Sequence, residues 1–118
     1  MKNRADLIAR GLRNLGALPQ GQAPNAEDEQ SLSDLIDPMI ADLIARDVNL
    51  IAIDPDAIED QYFIPLGYLL SWAAAPEFGQ AENQGLAALA EQAELKLKKI
   101  TAMALFPYTR QIAEGQYY

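Results

Sequence analysis

The sequence contains no cysteine and no histidine. Without cysteine there is no disulfide, no thiolate nucleophile and no thiolate metal site. Without histidine the commonest general base and the commonest metal ligand are both missing. Any catalysis is confined to carboxylate, lysine or tyrosine chemistry, so the chain is expected to be neither an enzyme nor a holder of a metal or cofactor. Positive charge is scarce too: nine Lys and Arg face seventeen Asp and Glu, a net charge of −8. No stretch approaches the roughly 20 apolar residues of a membrane span. The opening MKNRADLIARGLRNLG is amphipathic and lacks the apolar block of a signal peptide, so a cytoplasmic origin without a membrane partner is expected. The seven glycines match no phosphate-binding spacing.

What is present is a chain of 118 residues, half of them apolar, enough for one modest core. The apolar residues recur at helical spacing, and the expected fold is all-α: four helices in a bundle-like domain, with the second and third interrupted by proline. Ala5, Ile8, Leu12 and Leu15 stripe a first helix over residues 3–15, with Gly16 as its stop. A Pro/Gly loop follows. Asn25 then caps a second helix whose first turn carries Glu27, Asp28 and Glu29, where acids complement the helix dipole. Its stripe from Leu32 to Ile44 continues past Pro38, which predicts a kink or break near Asp37.

Leu50, Ile51 and Ile53 suggest a short extended piece, and Asp56 with Glu59 suggests a capping box for the third helix. That helix, running to about Ala75 through Pro65, is apolar around most of its circumference and is expected at the centre. Pro76 and Gly79 end it. A fourth helix is expected from about Ala81 to Leu105, on the order of 37 Å long, which spans a globule of this size. Lys96, Lys98 and Lys99 fall in its later turns, where cations are favoured. This divides the chain into a helical domain, residues 1–105, and an extended C-terminal tail, residues 106–118.

Two clusters invite chemistry and have plainer explanations. Asp54, Asp56, Glu59 and Asp60 resemble a calcium loop, but positions 6 and 12 of such a loop hold Glu59 and Pro65 in place of glycine and a bidentate glutamate. Acids at a helix start account for them. Tyr62, Phe63, Tyr68 and Trp72 resemble a base-stacking set, yet they sit at helical spacing without interleaved Lys or Arg, as core residues do.

Charge is distributed unevenly. Eleven acids and one base, Arg46, lie between Glu27 and Asp60, whereas Lys2, Arg4, Arg10 and Arg13 face only Asp6 near the start. The acidic middle repels phosphate, the source of most non-specific nucleic-acid affinity. Solvated helix faces explain both runs, and the basic start also suits an acidic partner. The last thirteen residues, FPYTRQIAEGQYY, hold four of the nine aromatics, too many for a solvating tail. They either fold back on their own domain or form an arm that docks on another subunit. The arm is favoured, with Phe106, Tyr108, Ile112, Tyr117 and Tyr118 as anchors and Arg110 adding a polar contact.

Three stretches together resemble the head-to-tail adaptor proteins of tailed bacteriophages, also called head-completion or packaged-DNA-stabilisation proteins. They are RADLIARGLRNLGALPQGQAPNAEDEQSLSDLIDPMIADL, IPLGYLLSWAAAPEFG, and the long helix with its C-terminal tail. The resemblance implies a structural virion protein in the neck between capsid and tail, assembled in the host cytoplasm. It implies a ring, usually of twelve copies, that binds the portal protein through C-terminal segments and carries a tail or neck component. DNA would pass through the central channel without specific binding. It also implies a monomer of marginal stability that oligomerises on the portal, with Arg4, Arg10 and Arg13 contacting a neighbouring subunit. The alternative is an acidic protein-binding module, such as a DNA-mimic inhibitor, which binds a basic protein in a strongly salt-dependent way.

Overall fold

Asn3 accepts a hydrogen bond from the backbone N–H of Asp6 at 2.9 Å while the Asp6 carboxylate accepts one from the N–H of Asn3 at 3.1 Å. This reciprocal box starts helix α1, Arg4–Asn14. Its end is equally well defined. The Gly16 N–H donates to Arg13 O and the Ala17 N–H to Leu12 O, a Schellman motif closed by Gly16 at φ +71°. A computed structural model describes the backbone of residues 1–116 apart from Gln20 and Ala52, and side chains as far as Ala102. Among these residues the chain is all-helical: α1 is followed by α2 (Ala26–Ala45), α3 (Asp60–Ala74), a 3₁₀ turn (Ala75–Phe78) and α4 (Gln84–Gln116).

Helix α2 begins as its sequence predicts, with Asn25 Oδ1 accepting from the Asp28 N–H at 2.8 Å. It does not break at Pro38: one helix runs through that residue to Ala45. Proline removes one backbone donor, but Ile36, Met39 and Leu43 are buried on either side of it. The packing of these residues offsets what the missing bond costs. Helix α2 also closes with a Schellman motif, Asp47 N–H to Ile44 O and Val48 N–H to Leu43 O, but its left-handed residue is Asp47, at φ +70°.

The loop from Asn49 to Glu59 contains no strand among its described residues. Leu50 is buried and Ile51 is 77 % exposed. The expected capping box for α3 is absent. The cap is Glu59, without a side-chain bond, and the Asp56 N–H instead donates to Asp54 Oδ1 at 2.9 Å. The extended pairing that does occur is an antiparallel bridge between Lys2 and Ile58, at 2.8 and 2.6 Å, which ties the start of the chain to the approach of α3. Lys2 then lies over the ring of Phe63, 5.5 Å from its centroid.

Helix α3 is the hub. It packs on α1, α2 and α4, and Leu66, Leu70 and Ala74 are all but fully buried. Tyr62, Phe63, Tyr68 and Trp72 are half-buried against this core, as their spacing predicts. The α1–α3 crossing is close because glycine stands on both helices. A Cβ on Gly11 would lie 2.9 Å from Leu32 Cδ2, and one on Gly67 3.0 Å from Arg10 Cγ. Between them the Ser71 hydroxyl, fully buried, shares its proton between Gly11 O at 2.9 Å and Gly67 O at 2.8 Å. Gln80 Nε2 donates to Leu15 O at 2.5 Å, so the turn after α3 also satisfies the end of α1.

The fourth helix differs most from expectation. It begins at Gln84, with the Asn83 side chain accepting from the Leu86 N–H at 3.0 Å, and is helical through Phe106 and Pro107 to Gln116. The expected boundary at Leu105 and the exit into an extended tail are therefore corrected: residues 106–116 continue the helix. Lys96, Lys98 and Lys99 consequently lie in the middle of α4. Its 33 residues correspond to about 50 Å. That exceeds α2, the next longest at 20 residues, by roughly 20 Å. The Cα envelope measures 59 × 29 × 22 Å, and the radius of gyration is 16.1 Å, above the roughly 13 Å of a globule of this length.

Candidate functional site

Beneath the acidic surface lies a groove. Met39 on α2, Leu69, Trp72 and Ala73 on α3, and Ala87 and Ala90 on α4 line its apolar floor. Asp42, Arg46, Glu91 and Glu94 form its rim, and it encloses about 650 Å³. It exists because α2 and α4 both pack on α3 without closing on each other. At one end Arg46 bridges the gap. Its guanidinium pairs with Glu94 of α4 and, at 2.7 Å, with Asp42 of α2. Lys98 adds a contact to Glu94 at 3.7 Å. Past Trp72 and Ala87 the groove continues into a second hollow lined by Ala81, Glu82, Asn83 and Gln84. Trp72 therefore sits at mid-groove, half-buried.

Of the eleven acids between Glu27 and Asp60, ten are exposed and Asp28 is half-buried. A solvated anionic surface is the plain consequence. Arg4 is held at its edge. It reaches Asp37 at 3.0 Å and Asp56 at 3.2 Å, joining α1 to α2 and to the loop before α3. The hydrogen bond to Asp37 raises the Arg4 pKa most; burial opposes it, and the charges of Asp37 and Asp56 add to the rise. Arg4 is thus engaged within its own chain. Arg10 and Arg13 are the basic residues of α1 that line an open hollow, with Leu18 and Gly21. Arg13 is exposed and Arg10 half-buried over Gly67.

A shallow apolar patch lies on the other side of α3, where Ile64, Pro65 and Tyr68 meet Leu89 and Ala93 of α4. Ile64 is 53 % exposed. Among the described residues no group of Asp and Glu is placed to hold a metal ion, and no helix is long and apolar enough to cross a membrane. Asp54 and Asp56 serve a turn and an ion pair.

The side chains of Phe106, Tyr108, Arg110 and Ile112 lie outside the described residues, and so do Tyr117 and Tyr118 entirely. The groove has little mark in the sequence: Arg46, the lone base in the acidic run, is its one signal, and its partner Glu94 is far along the chain. Comparison with family models, with curated proteins and with solved structures returned no match.

Proposed function

We propose that the chain is a non-enzymatic structural connector: a head-to-tail adaptor of a tailed-phage virion, which joins the portal to the tail and assembles as a ring in the neck. The observation that carries this is the disproportion of α4. A helix of 33 residues extends well past a body built from helices of 11, 20 and 15. The sequence at its far end concentrates four aromatics. A long helix whose sequence ends in large aromatics suits a joint between subunits, because buried aromatics carry much of the binding energy of interfaces. Phe106, Tyr108, Ile112, Tyr117 and Tyr118, with Arg110, are its docking residues.

The exposed acidic face supports the same function in a second way. DNA that must slide through a channel is best met by a surface with no phosphate affinity. A charge-reversed variant of that face, with lysine at Glu27, Glu29 and Asp34, should impede ejection of DNA; normal ejection would remove this role.

The proposal is tested by mixing the full chain with a portal ring and imaging the mixture by negative-stain microscopy. Added density under the portal is expected. It should disappear in a variant with Tyr108, Tyr117 and Tyr118 changed to serine, while circular dichroism stays the same. Unchanged portal binding by that variant would defeat the docking assignment. The same exposed acids favour one other function, an acidic module that binds a basic protein. That reading predicts no portal density and a salt-sensitive complex with a DNA-binding enzyme.

A further inference from the structure

The outer side of α4 presents an unusual trio. Leu95 is 60 % exposed, and Lys96 and Lys99 beside it are also exposed. Neither lysine makes an ion pair among the described residues, unlike Lys98, which contacts Glu94. Successive residues advance by about 100° around a helix, so Lys96 and Lys99 lie roughly opposite Ala87, Ala90 and Glu94, which face the groove, while Leu95 lies to the side, about 100° from Glu94. One copy therefore cannot place Leu95 in its own groove, since α4 is itself the groove's wall. The two surfaces nevertheless complement each other. One is an apolar trough with Asp42, Glu91 and Glu82 along its length, and the other is an apolar knob flanked by two cations.

We infer that the α2–α4 groove of one copy receives the outer face of α4 from a second copy, with Leu95 over Trp72 and Lys96 and Lys99 against Glu91 and Glu82. An amphipathic helix laid in an apolar groove is a common recognition mode. The contact is heterologous, because groove and knob are different surfaces of the same chain. It therefore propagates from copy to copy until it closes a ring or extends as a chain. This inference concerns contacts between copies only; it can fail while portal binding stands, and portal binding can fail while it stands.

Two full-length double variants test it, Lys96→Glu with Lys99→Glu and Glu82→Lys with Glu91→Lys. All four positions are exposed, so both variants should keep the wild-type circular dichroism. Sedimentation velocity over a concentration series should show wild type associating. Each variant alone sets like charges against each other at every contact and should associate at least tenfold more weakly. Mixed in equal amounts, the two restore opposite charges at every contact, and assembly should return. Trp72, the single tryptophan, should shift its emission to the blue on assembly of wild type and of the mixture. Leu95→Ser should weaken association without touching charge. A wild type that stays monomeric up to its solubility limit would overturn the inference. So would variants that associate like wild type, or a mixture that stays apart.

Discussion

The two sides of α3 are built on opposite terms. Toward α1 the packing is so close that a Cβ on Gly11 or Gly67 would crowd its neighbours, and a buried hydroxyl is fully bonded between the two helices. Toward α2 and α4 the same helix leaves a trough that only Arg46 spans. One side devotes its sequence to close packing, with Gly11, Gly67 and Ser71 leaving room for backbone contact. The other keeps Trp72 and Met39 at an open surface and surrounds them with charge. The first side is close-packed, and the second leaves apolar surface open to solvent.

Truncating one large apolar side chain on each side separates them most sharply. Leu70 is fully buried beside Gly11, so Leu70→Ala leaves a closed cavity and should cost about 2–5 kcal/mol in chemical denaturation. Met39 is also buried but borders the groove, where removed atoms are replaced by water already present. Met39→Ala should fall below about 2 kcal/mol, under the usual range for a sealed core. Equal losses at the two sites would mean that the groove is closed in solution.

The two glycines of the crossing should respond with opposite signs. Alanine is favoured over glycine in a helix by about 1 kcal/mol. At Gly11 the new methyl meets Leu32, itself fully buried, at 2.9 Å, and Leu70 at 3.4 Å. Overpacking of this kind costs about 1–3 kcal/mol, so Gly11→Ala should destabilise by about 1 kcal/mol net. At Gly67 the methyl meets the flexible stem of Arg10, which can move toward solvent. Gly67→Ala should be neutral or stabilising by up to about 1 kcal/mol. Both are read as shifts in the urea midpoint at unchanged slope.

Much of the tight side was legible in the sequence, and little of the open side. The limits of α1 follow from Asn3 and Gly16, and the central place of α3 from its continuous apolarity, because these signals are local. The proline signals were incomplete. Pro38 predicts a kink or a break, and of the two the break does not occur, since α2 runs through it; α4 likewise runs through Pro107. Proline's local cost is fixed, whereas the packing that opposes it depends on residues distant in sequence. Asp56 failed as a cap for a related reason: its carboxylate is taken by Arg4 on another helix. The groove depends on the separation of α2 and α4, and nothing in the period of either helix encodes that distance.

Asp47 marks where the open side gives up stability. Helices α1 and α2 end in the same motif, with glycine in the left-handed position of α1 and aspartate in that of α2. A side chain at φ +70° costs about 1 kcal/mol relative to glycine, and a negative charge at a helix C-terminus adds an unfavourable dipole interaction. Asp47→Gly should therefore raise stability by about 1 kcal/mol in urea. No gain would mean that the aspartate has a compensating contact in solution.

The smallest expected effect belongs to the bridge across the groove. Arg46 joins α2 to α4 through Glu94, but its side chain is 48 % exposed, and ion pairs so placed contribute at most about 1 kcal/mol. Arg46→Ala should lower stability by less than that, and the loss should shrink as salt screens the wild-type pair. Its effect on the groove should be larger than its effect on folding. Removing Arg46 leaves Asp42 and Glu91 uncompensated around Trp72, with Lys98 still beside Glu94, so quenching of its fluorescence by cationic caesium should increase and by anionic iodide decrease. An equal response to both ions, before and after the substitution, would show that the bridge does not control the field at the groove. The contrast between the two sides of α3 would then be one of packing alone.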